Sequence, residues 1–256
     1  MRSKEEIAQL LDTAAAEAKA VGQISVNQQL TEEEAYDIQR ISMERRYARN
    51  DNFVGLKLGF TSYAKMEQMG VHDMIWGRLT SEMHLENGST VSLSKFIHPR
   101  AEPEIAFKLK RDLDREISLE EIPEYIDSVC AAIEIIDSRY ENFKFSLEDV
   151  IADNCSSTGF VLGQWHNLPE SLNDLKMELV FNGEVRQSDQ SNAILDNPYL
   201  SVCNASRLAA KYGQSFPAGS VLLAGAATPA VFVEAGDVVT ANVEKLGSAT
   251  ITFEAS

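Results

Sequence analysis

Residues 129–137 read VCAAIEIID, an apolar strand pattern broken by a single carboxylate, Glu134. A lone ionised carboxylate inside such a run costs several kcal/mol even after relaxation, so the fold must bring a partner to it. A second strand pattern, IHPRAEPEIAFKL at 97–109, carries two more acids. With a side-chain period of two, Glu102, Glu104, Ala106 and Lys108 share one face, and Pro103, Ile105, Phe107 and Leu109 share the other. Carboxylates two residues apart on a strand project the same way and repel. A hard divalent cation shared by Glu102, Glu104 and Glu134 removes both problems, and all-oxygen ligation favours Mg²⁺ or Mn²⁺ over zinc. The plainer alternative makes Glu102 and Glu104 surface residues of an edge strand and pairs Glu134 with an arginine such as Arg100 or Arg139.

Lys57 is the next candidate. In VGLKLGF it stands between Gly55 and Gly59 on one strand face, with Leu56, Leu58 and Phe60 on the other. Glycines permit close approach of a ligand to the backbone. A lysine there can serve as acid, base or electrostatic clamp, or it can sit on a solvated face. The polar stretch Asp153-Asn154 and Ser156-Ser157 can bind a substrate carboxylate or supply turn chemistry. The small-residue loop Ala224 to Pro229, with Thr228, suits contact with a small ligand or a tight crossing. His72, His84, His98 and His166 form no ligand pair or triad pattern, and Trp76 and Trp165 read as packing.

A net charge of −16 excludes nucleic acid and anionic membrane as natural partners, since both need a basic surface. No run approaches the roughly 18 apolar residues of a membrane span. Cys130, Cys155 and Cys203 are odd in number and lack metal-ligand spacing, and no signal peptide is apparent. A reduced, cytoplasmic protein is the expectation.

The pattern predicts an α+β fold: a curled, barrel-like mixed sheet over 51–256, preceded by a helical portion over 1–50. Ser3/Glu6 and Thr31/Glu34 are capping boxes for helices over 3–20 and to about Asn50, the second with a solvated face of Arg40, Glu44, Arg45 and Arg46. A short helix follows over 62–69, and several short strands over 79–96 with a turn at Asn87-Gly88. A helix begins near Ile122, with Pro123 in its first turn. Residues 138–157 read as irregular. A hairpin turns at Asn182-Gly183, a helix spans 199–212 and stops at Gly213, and strands fill 221–253.

The runs VGLKLGFTSYAKMEQMGV, IHPRAEPEIAFKL, IEIIDSRYENFKF and VIADNCSSTGFVLG resemble the fumarylacetoacetate hydrolase superfamily over nearly the whole chain. Within it they resemble the branch of 4-oxalocrotonate decarboxylases and 2-hydroxypenta-2,4-dienoate hydratases, with IDSRYENFKF and KMEQMGV nearer the decarboxylases. The resemblance implies a curled mixed sheet, Mg²⁺ or Mn²⁺ on Glu102, Glu104 and Glu134, and the motif lysine at Lys57. It implies a small dicarboxylate 2-oxo acid as substrate, oriented by Thr61, Ser62, Asp153, Ser156 and Thr228, and loss of CO₂ to give 2-hydroxypenta-2,4-dienoate. It also implies homo-oligomers and a complex with a hydratase. Hydratase-like relatives place an aspartate after the GxL segment. Here Gly77-Arg78-Leu79-Thr80 is followed by Ser81 and Glu82, which disfavours the hydration of 2-hydroxypenta-2,4-dienoate as the activity. A non-catalytic subunit supporting a hydratase is the third possibility.

Overall fold

The computed structural model describes residues 1–63, 66–67 and 71–255. Of the expected helix over 62–69, residues Ala64, Lys65, Gln68 and Met69 lie outside the described residues.

Two helices open the chain, α1 (Lys4–Ala16) and α2 (Glu32–Tyr47). Both start on the anticipated capping boxes: Ser3 accepts from the Glu6 N–H while the Glu6 carboxylate accepts from the Ser3 N–H, and Thr31 and Glu34 do the same. Ile7, Ala8 and Leu11 of α1 and Ala35 and Ile38 of α2 join one core with Leu56, Trp76 and Phe107. The charged face of α2 is less solvated than expected. Arg45 Nε donates to the buried Asp12 at 2.9 Å, and Arg46 folds over Asp51 with only 18% of its side chain exposed. Arg40 and Glu44 are exposed as expected and pair with each other, while the Arg45–Arg46 end of the face turns towards Asp12 and Asp51.

The strands follow as β1 (Phe53–Gly59), β2 (Ile75–Thr80), β3 (His84–Leu85), β4 (Thr90–Ser92), β5 (Arg100–Leu109), β6 (Ile126–Ile136) and β7 (Ser157–Leu162). After them come β8 (His166–Asn167), β9 (Lys176–Phe181), β10 (Glu184–Gln190), β11 (Val221–Ala226), β12 (Val231–Phe232), β13 (Val238–Val243) and β14 (Gly247–Glu254). One mixed sheet runs β2-β1-β11-β5-β6-β7-β3, with β12 beside β5 and β8 beside β6. The second runs β10-β9-β13-β14-β4. Three further helices among the described residues are α3 (Ile122–Tyr125), α4 (Leu147–Ala152) and α5 (Tyr199–Lys211).

This is the expected α+β architecture with a curled mixed sheet. Elements depart from the sequence reading at several places, among them β2, which begins at Ile75 rather than near Leu79. Residues 138–157 are not irregular throughout, because α4 forms there on a capping box of Ser146 with Asp149. The strand β8 at His166–Asn167 was not anticipated; it pairs with Ser128 and Val129 of β6. At Pro123 the chain behaves as expected, with proline in the first turn of α3.

The long central strands β5 and β6 explain their own sequences. Ile105, Phe107, Val129 and Ala131 face the core shared with the helices, while Ile133 and Ile135 pack against the second sheet through Val239 and Ile251. The opposite face carries Ala106, Cys130 and Ala132, and on it stand the acids. No helix among the described residues is long and apolar enough to cross a membrane.

Candidate active site

The antiparallel pairing of β5 with β6 sets Glu102 directly opposite Glu134. Glu104, two residues on, faces the same way and lies opposite Ala132 on one side and Ala226 of β11 on the other. Oxygen atoms of Glu102, Glu104 and Glu134 all come within 4.8 Å of one another. Glu104 and Glu134 are fully buried and Glu102 is half-buried.

Lys57 enters this cluster from β1, which is separated from β5 by β11. Its Nζ lies 2.9 Å from Glu134 Oε2, an ion-pair contact outside hydrogen-bond angles. Neither Arg100 nor Arg139 is the partner of Glu134. The glycines around Lys57 are explained by neighbouring chain rather than by a ligand. A Cβ at Gly55 would fall 2.1 Å from Val221 O, and one at Gly59 would fall 2.9 Å from Ile75 Cγ1.

The electrostatics follow from burial. Burial works against the charge on Lys57, but Glu134, then Cys155, Glu102 and Glu104, outweigh it and hold the ammonium protonated above its ordinary range. Burial lifts the Glu104 carboxyl well above the usual carboxylate range, and the charge of Glu134 lifts it further, against the pull of Lys57. One oxygen of Glu104 accepts the Gly225 N–H at 2.8 Å. Its other oxygen, and both of Glu134, are buried without a hydrogen-bond partner. Buried carboxylate oxygens in that state cost free energy unless a cation meets them. Three hard oxygen donors converging on one point, with a single ammonium beside them, fit a divalent cation such as Mg²⁺ or Mn²⁺.

Gly225 is fitted to its task. A β-bulge in β11 separates Leu223 from Ala226, and within it Gly225 takes φ +105°. A Cβ there would fall 1.9 Å from Thr61 Oγ1. Only glycine lets the N–H reach Glu104 in that space.

A cavity of about 220 Å³ opens beside the cluster, lined by Lys57, Thr61, Ser62, Glu102, Cys155 and Ser156, with apolar walls from Phe60, Ile75, Ile136, Phe143, Phe145 and Val150. Ser156 Oγ is buried and has no hydrogen-bond partner. Asn154, Cys155 and Ser156 have left-handed φ of 50°, 53° and 57°. Such residues cost on the order of 1–3 kcal/mol each and need a clamp. The clamp is Asn154, whose side chain accepts from the Arg78 N–H at 2.7 Å and donates to the Arg78 carbonyl at 2.8 Å. Gln39 of α2 braces the same turn, donating to the carbonyls of Trp76 and Ile151 and accepting from Arg78.

Of the residues expected to contact substrate, the structure gathers Thr61, Ser62 and Ser156 around this cavity with Lys57 and Glu102. Asp153 and Thr228 are not brought to this cavity's lining. Asp153 accepts from Arg139 Nε at 2.5 Å and from the Arg139 N–H at 2.9 Å, so its carboxylate is committed to a buried ion pair. Thr228 is buried outside the cavity lining, and its hydroxyl lies 3.4 Å from the Pro229 carbonyl. Glu82 lines a separate cavity of about 320 Å³ with Arg46 and Asp51, away from Lys57. Cys155 and the aromatic walls were not anticipated. The VIADNCSS run gave a signal only for polarity. Burial pushes the Cys155 thiol up to about 12, against the pull of Lys57, and so makes it inert.

A family model described as fumarylacetoacetate (FAA) hydrolase C-terminal matches residues 62–254. A 4-oxalocrotonate decarboxylase of a Pseudomonas species is 48% identical over 94% of this chain and 94% of the relative. A 2-hydroxyhexa-2,4-dienoate hydratase of Comamonas testosteroni is 35% identical over 88% of this chain and 87% of the relative. Among solved structures, 4-oxalocrotonate decarboxylase from Pseudomonas putida G7, complexed with magnesium and adipate, superimposes with a TM-score of 0.93. That structure is 37% identical and covers 98% of this chain and 97% of its own.

Proposed function

The chain belongs to the fumarylacetoacetate hydrolase family, and we propose that within it the protein is a metal-dependent 4-oxalocrotonate decarboxylase. The reaction converts 2-oxo-3-hexenedioate to 2-hydroxypenta-2,4-dienoate and CO₂, a step of aromatic meta-cleavage catabolism. The observation that carries the reading is the convergence of Glu102, Glu104 and Glu134 beside Lys57.

The three glutamates would hold Mg²⁺ or Mn²⁺. When bound, the ion supplies Lewis-acid polarisation of an α-keto carboxylate. The substrate is a vinylogous β-keto acid. Its C5–C6 bond breaks, CO₂ leaves, and the bonding pair runs through the conjugated chain to the C2 oxygen, which then takes up a proton. In the metal-free site the carboxylate neighbours of Lys57 favour its charged form over burial. As an ammonium in a dry site it stabilises negative charge growing on the C2 oxygen, and it can donate the final proton. Thr61, Ser62 and Ser156 orient substrate carboxylates, with the Ser156 hydroxyl free of any other hydrogen bond. Phe60, Phe143 and Phe145 keep water from the conjugated chain.

Self-association, a complex with a 2-hydroxypentadienoate hydratase and a cytoplasmic setting belong to this reading. The three cysteines, all free, suit a reducing compartment.

Hydratase relatives share the fold, so the decisive experiment separates the two products. Purified protein with Mg²⁺ and 2-oxo-3-hexenedioate is followed for CO₂ and for ultraviolet absorbance. The decarboxylase reading expects stoichiometric CO₂ and a persisting dienoate. Rapid bleaching of separately supplied dienoate, with no CO₂ from the diacid, would instead support water addition to give 4-hydroxy-2-oxopentanoate.

A further inference from the structure

Arg100 stands two residues before Glu102 on β5 and faces the same side, roughly 7 Å further along the strand at its usual rise. Its cross-strand neighbours are Ile136 of β6 and Phe232 of β12. They form the row next to the Glu102–Glu134 pair. The guanidinium carbon lies 4.0 Å from the Phe143 ring centre and 4.1 Å from that of Phe232, so the charge is held between two rings. Phe143 and Ile136 both line the catalytic cavity.

Arg100 also lacks what other arginines here possess. Arg139 is bonded to Asp153, Arg49 to Asp12 and Arg207 to Asp73. Among the described residues Arg100 makes no side-chain hydrogen bond or ion pair, and its Nε is buried without a partner. In a chain of net charge −16, a guanidinium with no hydrogen-bonded partner, held next to two residues of the cavity wall and in the field of Glu102, can receive an anion. Its planar fork suits a carboxylate, and ring faces on either side hold the fork in place.

We infer that Arg100 receives the second carboxylate of the dicarboxylate substrate, the one lost as CO₂, and so selects dicarboxylates over monocarboxylates. The assignment rests on the decarboxylase reading and sharpens it. Glu102, Glu104 and Glu134 mark the keto-acid end, and Arg100, two residues away on the same strand face, marks the far end. The ion pair exists in the bound substrate and dissolves as the carboxylate becomes neutral CO₂. Arg100 therefore aids binding rather than the chemical step, and its loss should raise KM without lowering kcat. The monocarboxylate product offers nothing to Arg100 and leaves freely.

The test compares wild type with Arg100→Gln and Arg100→Lys in the presence of Mg²⁺. Steady-state decarboxylation is measured beside calorimetric titration of hexanedioate and hexanoate. Arg100→Gln is expected to raise KM about tenfold or more, leave kcat equal to or above that of wild type and abolish the preference for hexanedioate, with Arg100→Lys intermediate. Unchanged hexanoate binding shows that the variant is folded. An unchanged KM and a retained hexanedioate preference overturn the role of Arg100 while leaving the decarboxylase reading intact. A wild type that releases no CO₂ sinks that reading instead, and the paired titrations still decide Arg100.

Discussion

Lys57 Nζ lies 2.9 Å from Glu134 Oε2, and both side chains are at most 5% exposed. One ammonium cannot balance the three carboxylates that meet there. The deficit of two positive charges is what a single dication supplies. Sheet order creates the arrangement: β11 lies between β1 and β5, and β6 lies beyond β5, so four neighbouring strands converge on one point.

Removing the ammonium should uncouple stability from activity. For Lys57→Gln, kcat is expected to fall at least about 100-fold, the effect of losing one preorganised charge-stabilising group. Without metal, the variant should also lose about 3–5 kcal/mol, because Glu134 is left buried and unpaired. Mg²⁺ should restore much of that stability and none of the turnover. Urea unfolding with and without Mg²⁺, set beside kinetics, checks both halves.

Gly225→Ala tests how the glutamates are held. The new methyl would meet Thr61 Oγ1 at 1.9 Å, and the chain must move the N–H away from Glu104 to relieve it. Loss of an orienting hydrogen bond to a ligand typically weakens metal binding about 10–100-fold. Calorimetric titration of Mg²⁺ should show that weakening. Unchanged affinity would separate Gly225 from the metal site.

Much of this was legible in the sequence. Glu134 announced itself because an acid inside VCAAIEIID has no reason to be there without a partner, and period two put Glu102 and Glu104 on one face. Register was not legible. That Glu102 faces Glu134, and that Lys57 reaches them, depends on which strands pair, and long-range pairing leaves no local signal. The same limit hid the partner of Asp153. Polarity suggested a ligand contact, but Arg139, fourteen residues earlier, folds back and takes its carboxylate. The helix α4 was missed because its cap, Ser146, sits in a polar stretch that reads as loop.

Asp153 carries a pH signature. Burial raises its carboxyl to about 6 in spite of Arg139. The folded protein therefore keeps a proton that the unfolded chain gives up near 3.8. The stability from this proton is complete below 3.8 and is lost as pH climbs through about 6. Unfolding free energies measured across that window should fall with rising pH, and the slope should shrink in Asp153→Asn.

The most direct test is CO₂ release from 2-oxo-3-hexenedioate by protein stripped with EDTA, before and after Mg²⁺ is returned, alongside Glu104→Gln. Activity should vanish on stripping, return with Mg²⁺ and stay absent in the variant. Decarboxylation that persists without metal, or survives Glu104→Gln unchanged, would contradict the account.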